Sequence, residues 1–277
     1  MRRWMRTLLW LIVAVSSPAG ANVDCADASP ARARVAEVYP TADELPQNLL
    51  RLYVYFTQPM ERSDPAAQVS LRDDQGGVVP GALLNTRFGL WSTDGRRLTV
   101  LLDPGRVKTG LAAHQRMGAV LAHGRRYALR IERGLRDARG CAMSVAHEKR
   151  FTAGRADRRA PNPAEWSLEL PAVRTRQALT VALQGPTDHL SLAYRIRVLD
   201  ADRHAVPGAI MLARHEQVWR FSPAQTWEAG TYTLRVDPTL EDLAGNRPTG
   251  LFDDPTTANR ELSASAASFN RTFIIAE

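Results

Sequence analysis

The sequence predicts an all-β protein made of two tandem antiparallel β-sandwiches, and three observations carry that prediction. Apolar residues alternate with period two along much of the chain, as in strands with one buried face, while 3.6-residue stripes are scarce. Turn residues punctuate the runs, as in Asp73-Asp74-Gln75-Gly76-Gly77, Thr93-Asp94-Gly95, Asp103-Pro104-Gly105 and Leu243-Ala244-Gly245-Asn246. The order of runs and turns then occurs twice. With 277 residues, 44% hydrophobic and 23% charged, the chain can build one or two packed domains, and wholesale disorder is excluded.

Residues 1–21 read as a cleaved signal peptide. Arg2, Arg3 and Arg6 precede a short apolar run from Leu8 to Val15, Ser16 to Pro18 break it, and Ala19-Gly20-Ala21 offers small residues to a peptidase. A bilayer-spanning helix needs about 20 apolar residues, far more than this run supplies. A lipid-attachment site wants small apolar residues before its cysteine, whereas Asn22-Val23-Asp24 precede Cys25. No later stretch is apolar enough to span a membrane, so the mature chain is expected to be soluble, in the periplasm or secreted.

The first domain is expected over residues 30–154. Its strands start at Arg34 to Val38 and continue at Leu50 to Phe56, where apolar residues occupy the even positions. Leu98, Val100 and Leu102 repeat the pattern, as do Tyr127, Leu129 and Ile131, and Arg150-Phe151-Thr152 closes the set. The one helical candidate, Val107 to Leu121, is weakened by Gly110 and Gly118. Residues 155–165 read as a linker, overlapping a polar stretch from Ala153 to Pro163 that carries two prolines. The second domain, 166–277, alternates at Leu179, Val181 and Leu183, then at Tyr232, Leu234 and Val236, and ends on Arg271 to Ile274; Trp227 is read as core.

The repeat is visible residue by residue. Val79-Pro80-Gly81-Ala82-Leu83 matches Val206-Pro207-Gly208-Ala209-Ile210. The strand from Gly124 through Tyr127 to Ile131 matches that from Gly230 through Tyr232 to Val236. Leu135-Arg136-Asp137-Ala138-Arg139-Gly140 matches Leu240-Glu241-Asp242-Leu243-Ala244-Gly245. An insert from Arg106 to His123 belongs to the first copy alone, which makes it either a binding surface or a surface decoration.

At these residues the sequence resembles the bacterial Ig-like domains of the SbsA type, found in surface-layer and other exported proteins. The resemblance lies in Tyr53-Val54-Tyr55-Phe56-Thr57-Gln58-Pro59-Met60, in the Gly124/Tyr127 and Gly230/Tyr232 strands, and in the Asp242 to Asn246 turn. The second copy departs at Gly185-Pro186-Thr187-Asp188, and the first carries Cys141 where the last turn has asparagine. The resemblance covers most of residues 34–277. It implies two Ig-like sandwiches in an exported, non-enzymatic module used as a spacer, in adhesion or in assembly.

Several function classes drop out. Removing the three leader arginines lowers the formal net charge from +7 to +4. The remaining basic residues are scattered among acids, without the basic stripe that nucleic acid requires, so nucleic acid is not an expected partner. There is no G-x-S-x-G elbow, H-E-x-x-H pair or P-loop, and no two of the six histidines stand at i and i+4. Asp188-His189 beside Ser191 suggests a triad, but adjacent residues on a strand face opposite sides. No catalytic residue, cofactor or enzymatic activity is expected. Asp237, Glu241, Asp242, Asp253 and Asp254 raise calcium as an alternative, yet loop calcium sites use a tighter acid spacing, so no metal is assigned. In the Asp242 turn the aspartate can instead accept backbone N–H groups while Gly245 and Asn246 tolerate positive φ.

Two groups of residues remain as candidates. With Leu50, Leu52, Val54 and Phe56 inward, Tyr53 and Tyr55 lie on the opposite face beside Arg51, a candidate binding face for a sugar or a protein unless the N-terminal segment or the neighbouring domain covers it. Cys25 and Cys141 are expected to form one disulfide after export, with Cys141 in an exposed turn. The expected function is an exported, non-enzymatic interaction or spacer module of the bacterial cell envelope, with an envelope protein or polymer as partner. A carbohydrate-binding accessory module is the alternative, and a hydrolase with an unrecognised site comes third.

Overall fold

The computed structural model describes residues 25, 31–254 and 267–277; the expected signal peptide, 1–21, lies outside the described residues. In the first half, β1 (Val35–Tyr39), β3 (Arg51–Phe56), β6 (Arg97–Leu101) and β5 (Leu90–Trp91) form one antiparallel sheet in that order. The facing sheet runs β2 (Glu44–Pro46), β8 (His147–Gly154), β7 (Arg126–Ile131), β4 (Val69–Asp73), antiparallel except for β2 against β8. In the second half, β9 (Ser167–Glu169), β10 (Leu179–Ala182), β13 (Val218–Pro223) and β12 (Gly208–Ala213) form a four-stranded sheet. It faces a three-stranded sheet of β11 (Ile196–Leu199), β14 (Gly230–Val236) and β15 (Phe269–Ile275).

The two halves share one topology. The order β1-β3-β6-β5 corresponds to β9-β10-β13-β12, and β4-β7-β8 to β11-β14-β15. Four strands in A-B-E-D order facing three in C-F-G order is the constant-type immunoglobulin arrangement, to which the first half adds β2. Local bonds repeat as well. The Asp73 carboxylate accepts the N–H of Gly77, and Asp200 accepts that of His204. Bridges join Met60 to Asp137 and, at the matching place, Thr187 to Asp242.

Period-two faces build the cores. Leu52 pairs with Val100 and Val54 with Leu98, all buried, so both strands turn the same apolar face inward. In the second core Leu179 and Val181 pack with Trp219, Trp227, Leu234 and Val236. Full burial of side chains of this size stabilises by about 1.5–3 kcal/mol each. No helix among the described residues is long and apolar enough to cross a membrane.

Three details depart from expectation. The helical candidate is two short helices, α1 (Pro104–Val107) and α2 (Ala112–Met117), separated at Gly110 (φ +80°) and stopped at Gly118 (φ +73°). Residues His189–Tyr194 form a helix, α3, where the exclusion of a triad assumes a strand; the Asp188 side chain caps it by accepting the Ser191 N–H. Cys25 is bonded to Cys141, as expected, with the Cα atoms 5.6 Å apart. Cys141 is nevertheless fully buried, because its N–H bonds to the Asp137 carboxylate and the turn folds the side chain inward.

Candidate functional site

The candidate residues Arg51, Tyr53 and Tyr55 all lie on the face that the second half covers. Strand β3 points Leu52, Val54 and Phe56 into the first core, which by alternation turns these three outward. Tyr53 is only 2% exposed, and its hydroxyl donates to Asp188 Oδ2 at 2.7 Å. Arg51 donates to the Glu241 carboxylate, and its Nε lies 3.9 Å from Asp188 Oδ2. Arg247 bonds the other Glu241 oxygen at 2.8 Å. Tyr55 Oη lies 3.1 Å from His189 Nε2, and the His189 ring stacks on Tyr39 with centroids 3.7 Å apart. A flat sugar therefore cannot stack on Tyr53, whose ring is enclosed by the junction.

Helix α3 and the Asp242 turn supply the opposing groups. Asp188 is placed by capping α3, and Ser191 Oγ accepts the Glu241 N–H at 3.0 Å. The suspected Asp188, His189 and Ser191 thus face three different partners and do not form a triad. Asp242 Oδ1 accepts the N–H of Ala244 and of Asn246, each within 2.9 Å. Gly245 sits at φ +80° against Leu50, where a Cβ would come within 2.8 Å of Leu50 Cδ2. Leu50 N–H donates to the Leu243 carbonyl, and Leu243 itself belongs to the first core.

Burial sets the electrostatics. It pushes the Asp188 carboxyl up, opposed by the Arg51 charge and the Tyr53 hydrogen bond. It likewise raises the Tyr53 phenol, with the Asp188 charge adding to it. The Asp242 carboxyl is pushed up to about 7 by burial and by the Asp157 charge. Its counterpart Asp137 is lowered: burial acts upward, but hydrogen bonds from Arg139 and the Cys141 N–H outweigh it. Burial, reinforced by the Arg97 charge, holds the His189 imidazole down at about 4, so it is neutral at pH 7. His189 Nδ1 and Arg97 Nε are buried there with no hydrogen-bond partner among the described residues.

Contacts that sequence reasoning missed surround this centre. Glu216 accepts both the N–H and the hydroxyl of Thr41, at 2.9 and 2.8 Å. The Asn48 side chain brackets Asp157 by bonding its carbonyl and its N–H, each at 2.8 Å, which ties the linker to the first half. The insert reaches across as well. Thr109 donates its N–H and hydroxyl to Asp253, and Lys108 Nζ stands 4.0 Å above the Phe252 ring. The insert peculiar to the first copy therefore clasps a loop of the second. Only its restriction to one copy could have hinted at this.

The acids weighed for calcium have separate duties. Asp237 bonds Thr239, Glu241 pairs with two arginines, Asp242 organises its turn, and Asp253 holds Thr109. Among the described residues no three acids, histidines or cysteines converge as metal ligands.

No protein-family model matches the chain, and no curated protein sequence matches it. Solved structures show low-level likeness. The S-layer protein rSbsC(31-844) is 14% identical with a TM-score of 0.31, over 74% of this chain and 24% of that one. The chain thus spans about a quarter of that S-layer chain. Native α2-macroglobulin from Escherichia coli, over its MG0-NIE-MG1 domains, is 15% identical with a TM-score of 0.30, over 77% and 68% of the two chains. The titin domains Z1Z2 in complex with telethonin give 13% and 0.23, over 89% and 96%. At such values the immunoglobulin-like assignment stands on the strand order, which both halves share.

Proposed function

We propose that this chain is an exported, non-enzymatic Ig-like tandem that serves as an interaction or spacer module of the bacterial cell envelope. On this reading residues 30–154 and 166–277 are its two domains, 155–165 is the linker, and residues 1–21 are removed on export. The Pro59-Met60 turn and the paired Asp137 and Asp242 turns favour the SbsA-type family. The observation that carries the function is the closed junction, in which Arg51, Tyr53, Asp188 and Glu241 are mutually bonded. A junction of this kind fixes the distance and angle between the two sandwiches, which suits a spacer and presents outer surfaces to a partner pre-ordered. The Cys25–Cys141 disulfide suits an oxidising compartment.

The test is immobilisation of the mature protein and exposure to solubilised envelope, with insoluble glycans and a panel of chromogenic esters and glycosides in parallel. Saturable retention of an envelope protein or polymer is the expected result. Retention on glycans that is lost in Tyr55→Ala would replace the proposal with the accessory-module alternative, and turnover of any panel substrate would overturn its non-enzymatic part.

A further inference from the structure

Among the described residues the four sheets end on eight edge strands, and seven of these are short or charged. β2 and β9 have three residues and β5 has two, while β1 carries Glu37, β4 Arg72 and Asp73, β11 Arg197, and β15 Arg271. Such features keep open edges from pairing with other chains. β12 has neither. It is Gly208-Ala209-Ile210-Met211-Leu212-Ala213, six residues without a charge or a proline, and Ile210 and Met211 are 37% and 64% exposed. Its counterpart in the first half, β5, is cut to Leu90–Trp91.

The direction of its free hydrogen-bonding groups follows from the ladder. Ala224 N–H donates to the Pro207 carbonyl, so Pro207 and Ala224 form a hydrogen-bonded pair. Bonded and non-bonded pairs alternate in antiparallel sheets, and Gly208 stands opposite Pro223 in this one. Ala209, Met211 and Ala213 therefore bond β13, while the N–H and C=O groups of Gly208, Ile210 and Leu212 point away from the sheet. Three outward residues spaced by two and centred on Ile210 form a self-complementary set.

We propose that β12 is a homodimerisation edge, pairing antiparallel with β12 of a second copy about a two-fold axis at Ile210. The two four-stranded sheets then join into one of eight strands, an isologous contact. In this register Gly208 stands opposite the partner's Leu212, and Ala209 opposite the partner's Met211. Small residues thus meet large ones, Ile210 meets the partner's Ile210, and no like charges face each other. Gly208 is itself required, because a Cβ there would lie 2.5 Å from the Phe221 ring and the Ser222 carbonyl. The pairing needs no envelope ligand, so it stands or falls apart from the proposed function.

Sedimentation of the mature protein over a wide concentration range is expected to show a monomer–dimer equilibrium. Met211→Lys, on the exposed outer face, is expected to weaken the dimer by at least about tenfold with an unchanged melting curve. Ile210→Pro deletes the central outward N–H while sparing the bonds to β13, and is expected to abolish dimerisation. The register has its own readout. Hydrogen-bonded cross-strand Cα atoms are about 5.5 Å apart, within disulfide range, so Ile210→Cys should oxidise to a covalent dimer and Met211→Cys should not. The two native cysteines are already bonded to each other and do not compete. A monomer at every concentration, a dimer indifferent to Met211→Lys and Ile210→Pro, or cross-linking through Met211→Cys alone would each overturn the proposal.

Discussion

Arg106 shows how much one buried side chain can organise. It is 5% exposed, and its guanidinium donates to the carbonyls of Pro80, Gly81, Met117, Gly118 and Ala119, at 2.7 to 3.4 Å. Those bonds close the insert onto the 79–84 segment, so the insert folds around its first residue. Arg106→Lys keeps the charge but replaces a planar five-donor fork with a single ammonium, leaving carbonyls buried without donors. We expect a loss of about 2–3 kcal/mol, read as a lower urea midpoint at unchanged slope; a loss under about 0.5 kcal/mol would show the fork to be dispensable. His189 supplies the matching electrostatic prediction. Its folded value of about 4 lies below its ordinary 6.5, so between these the unfolded chain binds a proton that the folded one refuses. Its contribution is therefore full above pH 6.5 and is lost as pH falls toward 4. The stability of the wild type relative to His189→Phe should rise through that window and level off above it. A flat difference would mean that the imidazole titrates freely.

At the scale of elements, the β12–β13 turn is informative. Arg214, His215 and Glu216 all lie in the left-handed region, at φ +51°, +55° and +59°, where non-glycine residues pay a steric penalty of roughly 1–2 kcal/mol each. The turn is held there because it delivers Glu216 to Thr41 of the first half. Arg214 is exposed, so Arg214→Gly should relieve strain without removing a contact. After the added freedom of the unfolded chain is subtracted, a gain of about 0.5–1 kcal/mol is expected, or roughly 2–3 °C in Tm. A drop in Tm would show that the arginine side chain matters more than the strain. Helix α3 makes the complementary point. Leu190 and Leu192 alternate like a strand, but the Asp188 cap and the bond from Trp219 Nε1 to the Leu192 carbonyl select a helix. Six residues hold too little pattern to separate the two periods.

For the molecule as a whole, the junction couples the stability of the two halves. Leu243 fills part of the first core, Phe252 packs against it, and the buried Tyr53 donates its hydroxyl to Asp188 of the second half. A fragment of residues 22–160 is expected to melt cooperatively but below the intact chain, which should itself show one calorimetric transition. Two transitions in the intact chain, matching those of the separate halves, would show that the junction adds nothing to stability.

Local pattern by itself determined that the chain is all-β, that its order of strands and turns occurs twice, and that Cys25 could find Cys141. The first two rest on short-range signals, side-chain alternation and turn-forming residues, and the third on the chain having two cysteines and no others. What covers the Arg51, Tyr53 and Tyr55 face was left open between solvent, the N-terminal segment and the neighbouring domain. Only the tertiary structure decided it, because Asp188, Glu216 and Glu241 lie 135 to 190 positions away from the residues they bond. Such pairings carry no periodic signal, since their geometry exists only once both sandwiches are packed against each other.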